Sequence, residues 1–185
     1  MQKSKTISKK DRPYSVMPYQ KDWPKQYNHE EKIINRVFGE LAVSIEHIGS
    51  TSVEGMWAKP QIDILVIVND LNTVDPLIQL MESQGYNYQP EFCKFNERYF
   101  TRDAPSGERL VSVHVMQPDN PEAQSHIYLR EYLKSHPEER EIYSRVKKEA
   151  YESGADRLEY PQKKQKVLTK ILAAAKKWYY KQPKQ

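Results

Sequence analysis

The chain is poor in cysteine and has no long hydrophobic run. Its single cysteine, Cys93, cannot form an internal disulfide, which is typical of a protein in a reducing cytoplasm. No catalytic motif surrounds Cys93, so we interpret it as a packing residue. No stretch approaches the roughly 18 consecutive apolar residues of a membrane-spanning helix, and no apolar segment of a secretory signal follows the basic N-terminus. The sequence therefore predicts a cytoplasmic protein that does not span a membrane.

The composition is that of a globular protein: 38% of the residues are hydrophobic and 29% are charged. A chain of 185 residues can bury a core without disulfide or metal support. We expect one domain over residues 13–180, a disordered basic tail over residues 1–12 and a short tail over residues 181–185.

The net charge of +4 is concentrated near the two ends of the chain. Basic ends can attract nucleic acid or anionic metabolites, although solvated helices often carry the same pattern. The lysines and arginine that give the ends this charge are Lys3, Lys5, Lys9, Lys10 and Arg12, and Lys163, Lys164, Lys166, Lys170, Lys176, Lys177, Lys181 and Lys184.

Hydrophobic periodicity predicts strands and helices in alternation, with helices accumulating toward the C-terminus. The fold class is α/β (α+β), a mixed β-sheet flanked by helices with a C-terminal helical segment. The predicted strands cover residues 14–17, 41–48 and 61–68, and a hairpin of 97–102 with 110–116. The predicted helices run from Asp22 to about Gly39, and over 74–84, 122–135, 138–153 and 161–180.

The segment with the clearest chemistry is the turn Gly49-Ser50-Thr51-Ser52, which lies between two predicted strands. Glycine lets the backbone turn sharply near a ligand, and hydroxyls and backbone N–H groups after it can hold an anion. This pattern predicts a site for a nucleotide or a phosphorylated small molecule.

Asp63 lies within the nearly continuous apolar run of residues 61–68. Burying a carboxylate there is costly unless it is paired, hydrogen-bonded or bound to a metal, so Asp63 is a candidate catalytic and metal-binding residue. The alternative is that Asp63 lies at the exposed start of the strand or caps the preceding loop.

The longer string around these residues resembles the signature of the GrpB family, which is also catalogued as an uncharacterised protein family. It reads Glu46-His47-Ile48-Gly49-Ser50-Thr51-Ser52-Val53-x-Gly55, followed by Lys59-Pro60-x-Ile62-Asp63-Ile64. Further pieces that resemble the family extend the similarity over about residues 16–175. They are Pro18-Tyr19 with Trp23, Gly85-Tyr86, Val113-His114-Val115, Arg130-x-Tyr132-Leu133, Tyr143-x-x-x-Lys147, and Tyr160 with Lys164.

The resemblance implies a nucleotidyltransferase-like fold of the polymerase-β type, in which a Gly-Ser turn holds triphosphate and three acids bind two magnesium ions. In this chain the second acid is replaced by Leu65, and the third would fall near Ser112 or His114. Only Asp63 remains to bind Mg²⁺. Glu46, Glu97 or Glu108 could compensate if they point toward it.

His47 and His114 are further candidate catalytic residues, and three interpretations of them stay open. With Asp63 they could bind another divalent metal, because imidazole suits zinc, iron, nickel or copper better than magnesium. They could line the pocket as hydrogen-bonding groups, or they could be structural. Lys59 and Lys164 are candidate phosphate ligands, and the alternative for both is a solvated lysine.

Three functions follow from these residues. The first is an enzyme that transfers a nucleotidyl or phosphoryl group to a small molecule. The second is a catalytically degenerate module that binds a nucleotide or phosphorylated metabolite. The third is an accessory protein for nucleic acid or for coenzyme A synthesis, since GrpB-like domains are fused in some bacteria to dephospho-coenzyme A kinase. No Gly-Lys-Ser/Thr phosphate loop occurs here, so we expect the stand-alone form.

Overall fold

The computed structural model describes residues 13–92 and 96–182. The predicted tail over residues 1–12, Cys93, and residues 183–185 of the predicted C-terminal tail lie outside the described residues. Five α-helices, five strands and five short 3₁₀ helices make up the regular structure of the described part. The helices are α1 (Trp23–Phe38), α2 (Ile78–Ser83), α3 (Pro121–Ser135), α4 (Pro137–Glu152) and α5 (Glu159–Tyr179). The strands are β1 (Ala42–Ile48), β2 (Ile62–Val68), β3 (Asn87–Tyr88), β4 (Arg98–Asp103) and β5 (Arg109–Met116).

The strands form one mixed sheet in the order β1-β2-β5-β4-β3. β2 is parallel to β5, and the other neighbouring pairs are antiparallel. The apolar run of β2 is explained by its position, because β2 has a strand on each side and helices over both faces. Asp63 lies opposite Ile48 of β1 and Ser112 of β5.

The two faces of the sheet are covered by different helices. α1 and α2 cover one face, where alternate residues of β2 and β5 such as Ile64, Val66 and Val113 are buried. On the opposite face, Leu65 and Met116 pack with Ala123 of α3. α3, α4 and α5 also pack on one another around a third cluster that includes Tyr132 and Ile171. The chemistry-bearing residues Asp63 and Ser112 belong to the face on which α3 lies.

The predicted fold class is confirmed, while several short elements differ from prediction. Residues 14–17 form no strand, and Met17 makes only an isolated bridge with Ala58. The predicted helix over 74–84 is shortened to α2, because 3₁₀ turns occupy residues 71–73 and 75–77 and Pro76 cannot donate a backbone hydrogen bond. β3 was not predicted, since two residues carry too little periodicity. Among the described residues, no helix is long and apolar enough to cross a bilayer.

Candidate functional site

A cavity of about 220 Å³ opens between the start of β2 and the helices α4 and α5. The turn after β1 contributes Ser50 and Thr51 to its wall. The remaining lining residues are Ala58, Lys59, Gln61, Asp63, Lys147, Tyr160, Pro161 and Lys164. We call this cavity the lysine pocket. It brings together Ser50, Thr51, Lys59, Asp63 and Lys164, which the sequence had indicated at three separate places.

Gly49 places the turn directly against Asp63. Its φ is +70°, in the region that favours glycine, and a Cβ at this position would lie 2.5 Å from the Asp63 Oδ2. A side chain at residue 49 is therefore incompatible with the present position of Asp63. The glycine is needed both for the backbone conformation and for the close approach.

The Asp63 carboxylate is held by Gln61, whose side-chain amide donates to Oδ1 at 2.5 Å and to the Ser112 hydroxyl at 3.0 Å. Burial raises the pKa of Asp63 above its usual range. The hydrogen bond from Gln61 opposes this rise in pKa, as do the charges of His114, Lys164 and Lys147. Asp63 is thus neither an exposed strand start nor a cap of the preceding loop.

His47 lies behind the turn and does not line the lysine pocket. Its ring stacks on Tyr27 at 4.7 Å between centroids, and its Nε2 lies 3.0 Å from the Thr51 hydroxyl. That hydroxyl donates to the Gln61 carbonyl at 3.1 Å, so we assign the Nε2 proton to His47 as the donor. Burial, with the charges of Arg130 and Lys134, lowers the pKa of His47 to about 4. His47 is therefore a neutral group that orients Thr51.

Of the two serines in the turn, one lines the pocket and the other stabilises the turn. Ser52 turns inward, and its hydroxyl donates to the Gly49 carbonyl at 2.6 Å. Ser52 therefore stabilises the turn and is not among the residues that line the lysine pocket. Ser50, in contrast, lines the pocket, and its hydroxyl forms no hydrogen bond with the described residues.

Lys147 lines the pocket, although the sequence indicates it only within the string Tyr143-x-x-x-Lys147 and does not assign it to the site. It lies on α4 and is only 3% exposed. Its pKa is held well below the usual range, first by burial and then by the charges of Lys164 and Lys59, while Asp63 opposes the shift. A signal existed in the sequence, because Lys147 follows Tyr143 by one helical turn and precedes Ala150, and both of these neighbours are buried. A lysine on the buried stripe of a helix indicates a site.

Tyrosine rings surround the ammonium groups of the pocket. The Lys59 Nζ lies 4.2 Å from the ring centroid of Tyr14 and 4.4 Å from that of Tyr160. Lys164 donates to the Tyr143 hydroxyl at 3.2 Å. Tyr160 itself has a buried hydroxyl, one of two buried side-chain polar atoms in the described chain without a hydrogen-bond partner. An unsatisfied buried hydroxyl costs about 1–3 kcal/mol.

His114 lies farther along the same face of the sheet and does not line the pocket. Its Nδ1 is 2.7 Å from the buried carboxylate of Glu97, and its ring stacks on Tyr99 at 4.7 Å between centroids. The structure therefore does not bring His47, Asp63 and His114 together as ligands. The charge of His114 acts on Asp63 only through space and is one of the influences that lower the Asp63 pKa.

The donor set of the pocket does not fit a divalent metal. Asp63 is the single carboxylate among the lining residues, and three lysines face the same space. Leu65 is fully buried in the apolar cluster under α3, while Glu46 pairs with Arg130 and Glu97 with His114. Magnesium prefers several oxygen ligands, and no group of three or more His, Cys, Asp or Glu in the described chain is arranged to hold a metal. The lining of the pocket is rich in lysine and poor in carboxylate.

Comparison with known proteins finds a family that matches this chain. The family described as "GrpB protein" matches residues 13–174. The UPF0157 protein YqkA of Bacillus subtilis is 30% identical over 168 residues, which are 90% of this chain and 48% of that protein. A dephospho-CoA kinase of Mycolicibacterium paratuberculosis is 27% identical over 164 residues, with 75% of this chain and 40% of the kinase covered.

The similarity extends to a solved structure. The crystal structure of the conserved protein GrpB from Enterococcus faecalis matches with a TM-score of 0.84 and 34% identity, and it covers 90% of this chain and 100% of that one. The chain spans about half the length of the Bacillus relative.

Proposed function

This chain belongs to the GrpB family, and we propose that it is a binding protein for a phosphorylated small molecule, whose phosphate group lies in the lysine pocket. The observation that carries the proposal is the convergence of Lys59, Lys147 and Lys164 around one cavity that contains a single carboxylate. A phosphate dianion would neutralise the excess positive charge there.

The burial of Lys147 supports an anionic ligand most directly. A lysine that is 3% exposed, with two other lysines near it, is costly to keep in its charged form. A bound phosphate would compensate that charge. Ser50 lines the same space, and its hydroxyl could donate to a phosphate oxygen.

Binding, rather than nucleotidyl transfer, is the function that this geometry favours. Two-metal transfer requires carboxylates on both sides of the reacting oxygen, and the pocket supplies Asp63 alone. The proposal therefore involves no metal. Turnover of a nucleotide that depends on Mg²⁺ and is lost in Asp63→Asn would overturn it in favour of the transferase.

The proposal is tested by calorimetric titration of the protein with inorganic phosphate, pyrophosphate and dephospho-coenzyme A in the presence of EDTA. We expect metal-independent binding that Lys147→Met weakens by about ten- to a hundredfold, the loss of one charge-assisted contact. Lys166→Met is the matched control, because it removes an exposed lysine on α5 that does not line the pocket. Equal binding by both variants, or binding of none of the three anions, would disprove the lysine pocket as a phosphate site.

A further inference from the structure

A second cavity of about 310 Å³ adjoins the lysine pocket. Lys59 and Gln61 line both cavities, so these two side chains form the boundary between them. The second cavity is bounded by the segment that precedes α1, by the first turns of α1 and by the start of β5. We call it the apolar cavity, since Tyr14, Met17, Trp23, Pro60 and Leu110 form much of its wall.

The two cavities differ in chemistry. The lysine pocket is lined by three lysines, whereas much of the apolar cavity is aromatic and aliphatic surface, although its wall also contains Asp22, Glu108, Arg109 and Arg157. Arg109 lies in the wall of the apolar cavity, but its guanidinium is engaged by the Asp103 carboxylate and by the Tyr99 hydroxyl, which accepts from it at 3.0 Å. A ligand that fills both cavities would therefore have one anionic end and one apolar end.

A hydrogen-bonded chain holds the boundary between the cavities in place. Gln61 donates to Asp63 on the lysine-pocket side and to the Ser112 hydroxyl at 3.0 Å. The Ser112 hydroxyl lies 2.9 Å from that of Tyr99, which in turn accepts from Arg109. The orientation of Gln61 is thus fixed by two acceptors, the Asp63 carboxylate and the Ser112 hydroxyl.

From this arrangement we propose that the ligand is an organic phosphate monoester, with its phosphate in the lysine pocket and a ring-sized apolar group in the apolar cavity. The proposal rests on the proposed function and names its ligand class. A cavity near the lower end of the usual range for small-molecule sites, about 300 Å³, accommodates one or two rings. The ester oxygen would then lie at the boundary formed by Lys59 and Gln61.

The test compares two ligands that differ only in the organic group, methyl phosphate and phenyl phosphate, by calorimetric titration in EDTA. We expect phenyl phosphate to bind about tenfold more tightly or better, because its ring leaves water for apolar surface. The measured quantity is the ratio of the two dissociation constants. A ratio cancels effects on the phosphate group, which both ligands share.

Leu110→Asp should bring the ratio close to one, because it places a carboxylate in the wall of the apolar cavity. Leu110 is 40% exposed, and Leu80 on α2 is 45% exposed and lines neither cavity, so Leu80→Asp is the matched control. Leu110→Asn serves as the milder variant if the aspartate impairs folding. Retained binding of methyl phosphate shows that a variant is folded.

The outcomes separate this inference from the proposed function. Methyl phosphate binding that depends on Lys147, with phenyl phosphate no tighter, would overturn the organic subsite and leave the phosphate site standing. A ratio that stays high in both Leu110 variants would place the ring elsewhere and overturn the subsite as well. If neither ester binds, both proposals fail.

Discussion

At the scale of single residues, Lys147 shows how position rather than residue type creates a functional group. Its ammonium lies 5.4 Å from the Tyr143 ring centroid, and the residue lines the lysine pocket from α4. Burial disfavours its charge, and Lys164 and Lys59 disfavour it further. A phosphate dianion would reverse this balance and raise the pKa of Lys147 toward its ordinary value.

We therefore expect phosphate binding to take up protons. Between its lowered pKa in the free protein and its raised pKa in the complex, Lys147 gains a proton on binding, so affinity falls as pH rises from the pKa of the free protein to that of the complex. The measurement is calorimetry of methyl phosphate at a series of pH values above the ligand's second pKa of about 6, in buffers of different ionisation enthalpy. Lys147→Met should abolish the uptake, and uptake that persists in this variant would contradict the assignment.

Sequence reasoning predicted Asp63, Lys59 and Lys164 but not Lys147, for a physical reason. Asp63 is a charged residue within an apolar run, so the sequence alone indicates that it is at least partly buried. A lysine on a helix is ordinary in sequence, because most helical lysines are solvated. Its burial is recognised only when the packed face of the helix is known. His47 had three open interpretations, since the sequence does not show that Thr51 and Tyr27 meet its ring.

At the scale of elements, the turn from β1 toward β2 fixes the pocket. Gly49 carries a positive φ, and its Cα lies against the Asp63 carboxylate. His47 and Ser52 hold the turn from behind. The turn and the start of β2 therefore behave as one unit, and a change in either displaces both.

Gly49→Ala tests this unit, with Gly39→Ala as its control. Both glycines have a positive φ, but a Cβ at residue 39 would meet no atom within 4 Å. The strained backbone costs about 1–3 kcal/mol at either position, whereas the clash with Asp63 occurs only at residue 49. We expect Gly49→Ala to lower the free energy of unfolding in urea by more than Gly39→Ala does, and to weaken phosphate binding. Equal destabilisation by the two variants would show that the close approach to Asp63 is relaxed at little cost.

Strands with clear alternation and long amphipathic helices could be predicted at this scale. β5 illustrates the point: Val111, Val113 and Val115 face one core, and Met116 and Ser112 face the other side, as the sequence indicated. The 3₁₀ turns before α2 could not be predicted, because their short hydrogen-bonded runs leave no periodicity.

At the scale of the whole molecule, two neutral histidines lie where helices pack on the sheet. The ring of His47 in β1 stacks on the Tyr27 ring of α1. His126 of α3 lies against the sheet, where its ring is 5.5 Å from that of His114. Burial lowers the pKa of His47 to about 4 and that of His126 to about 3. The folded protein thus resists protonation that the unfolded chain accepts near pH 6.5.

Acidification should therefore destabilise the fold. Both histidines bind protons more readily in the unfolded chain. Their contribution to the free energy of unfolding is therefore fully present above about pH 6.5 and is lost as pH decreases toward 4. His47 alone accounts for about 3 kcal/mol of this loss, because its pKa is 6.5 in the unfolded chain and about 4 in the folded protein. Urea unfolding of His47→Gln should show a flatter pH dependence than the wild type, since glutamine can donate to Thr51 without titrating. His29→Gln, at an exposed position on α1, should leave the slope unchanged, and the same slope in both variants would refute the role of His47.

The fold class could be read from the order of strands and helices, but the assignment of helices to faces could not. Residues 50–63 and residues 147–164 meet only because α4 and α5 pack against the segment that joins β1 to β2, where Val53 and Met56 share an apolar cluster with Tyr143 and Ile171. This has a consequence for the recognition of similar sites in other chains. The contiguous string from Glu46 to Ile64 supplies Ser50, Lys59 and Asp63 of the pocket, whereas Lys147 and Lys164 lie about a hundred residues farther along the chain. Another sequence that carries the string but has apolar residues in place of Lys147 and Lys164 would keep one lysine beside one carboxylate and would hold an anion more weakly.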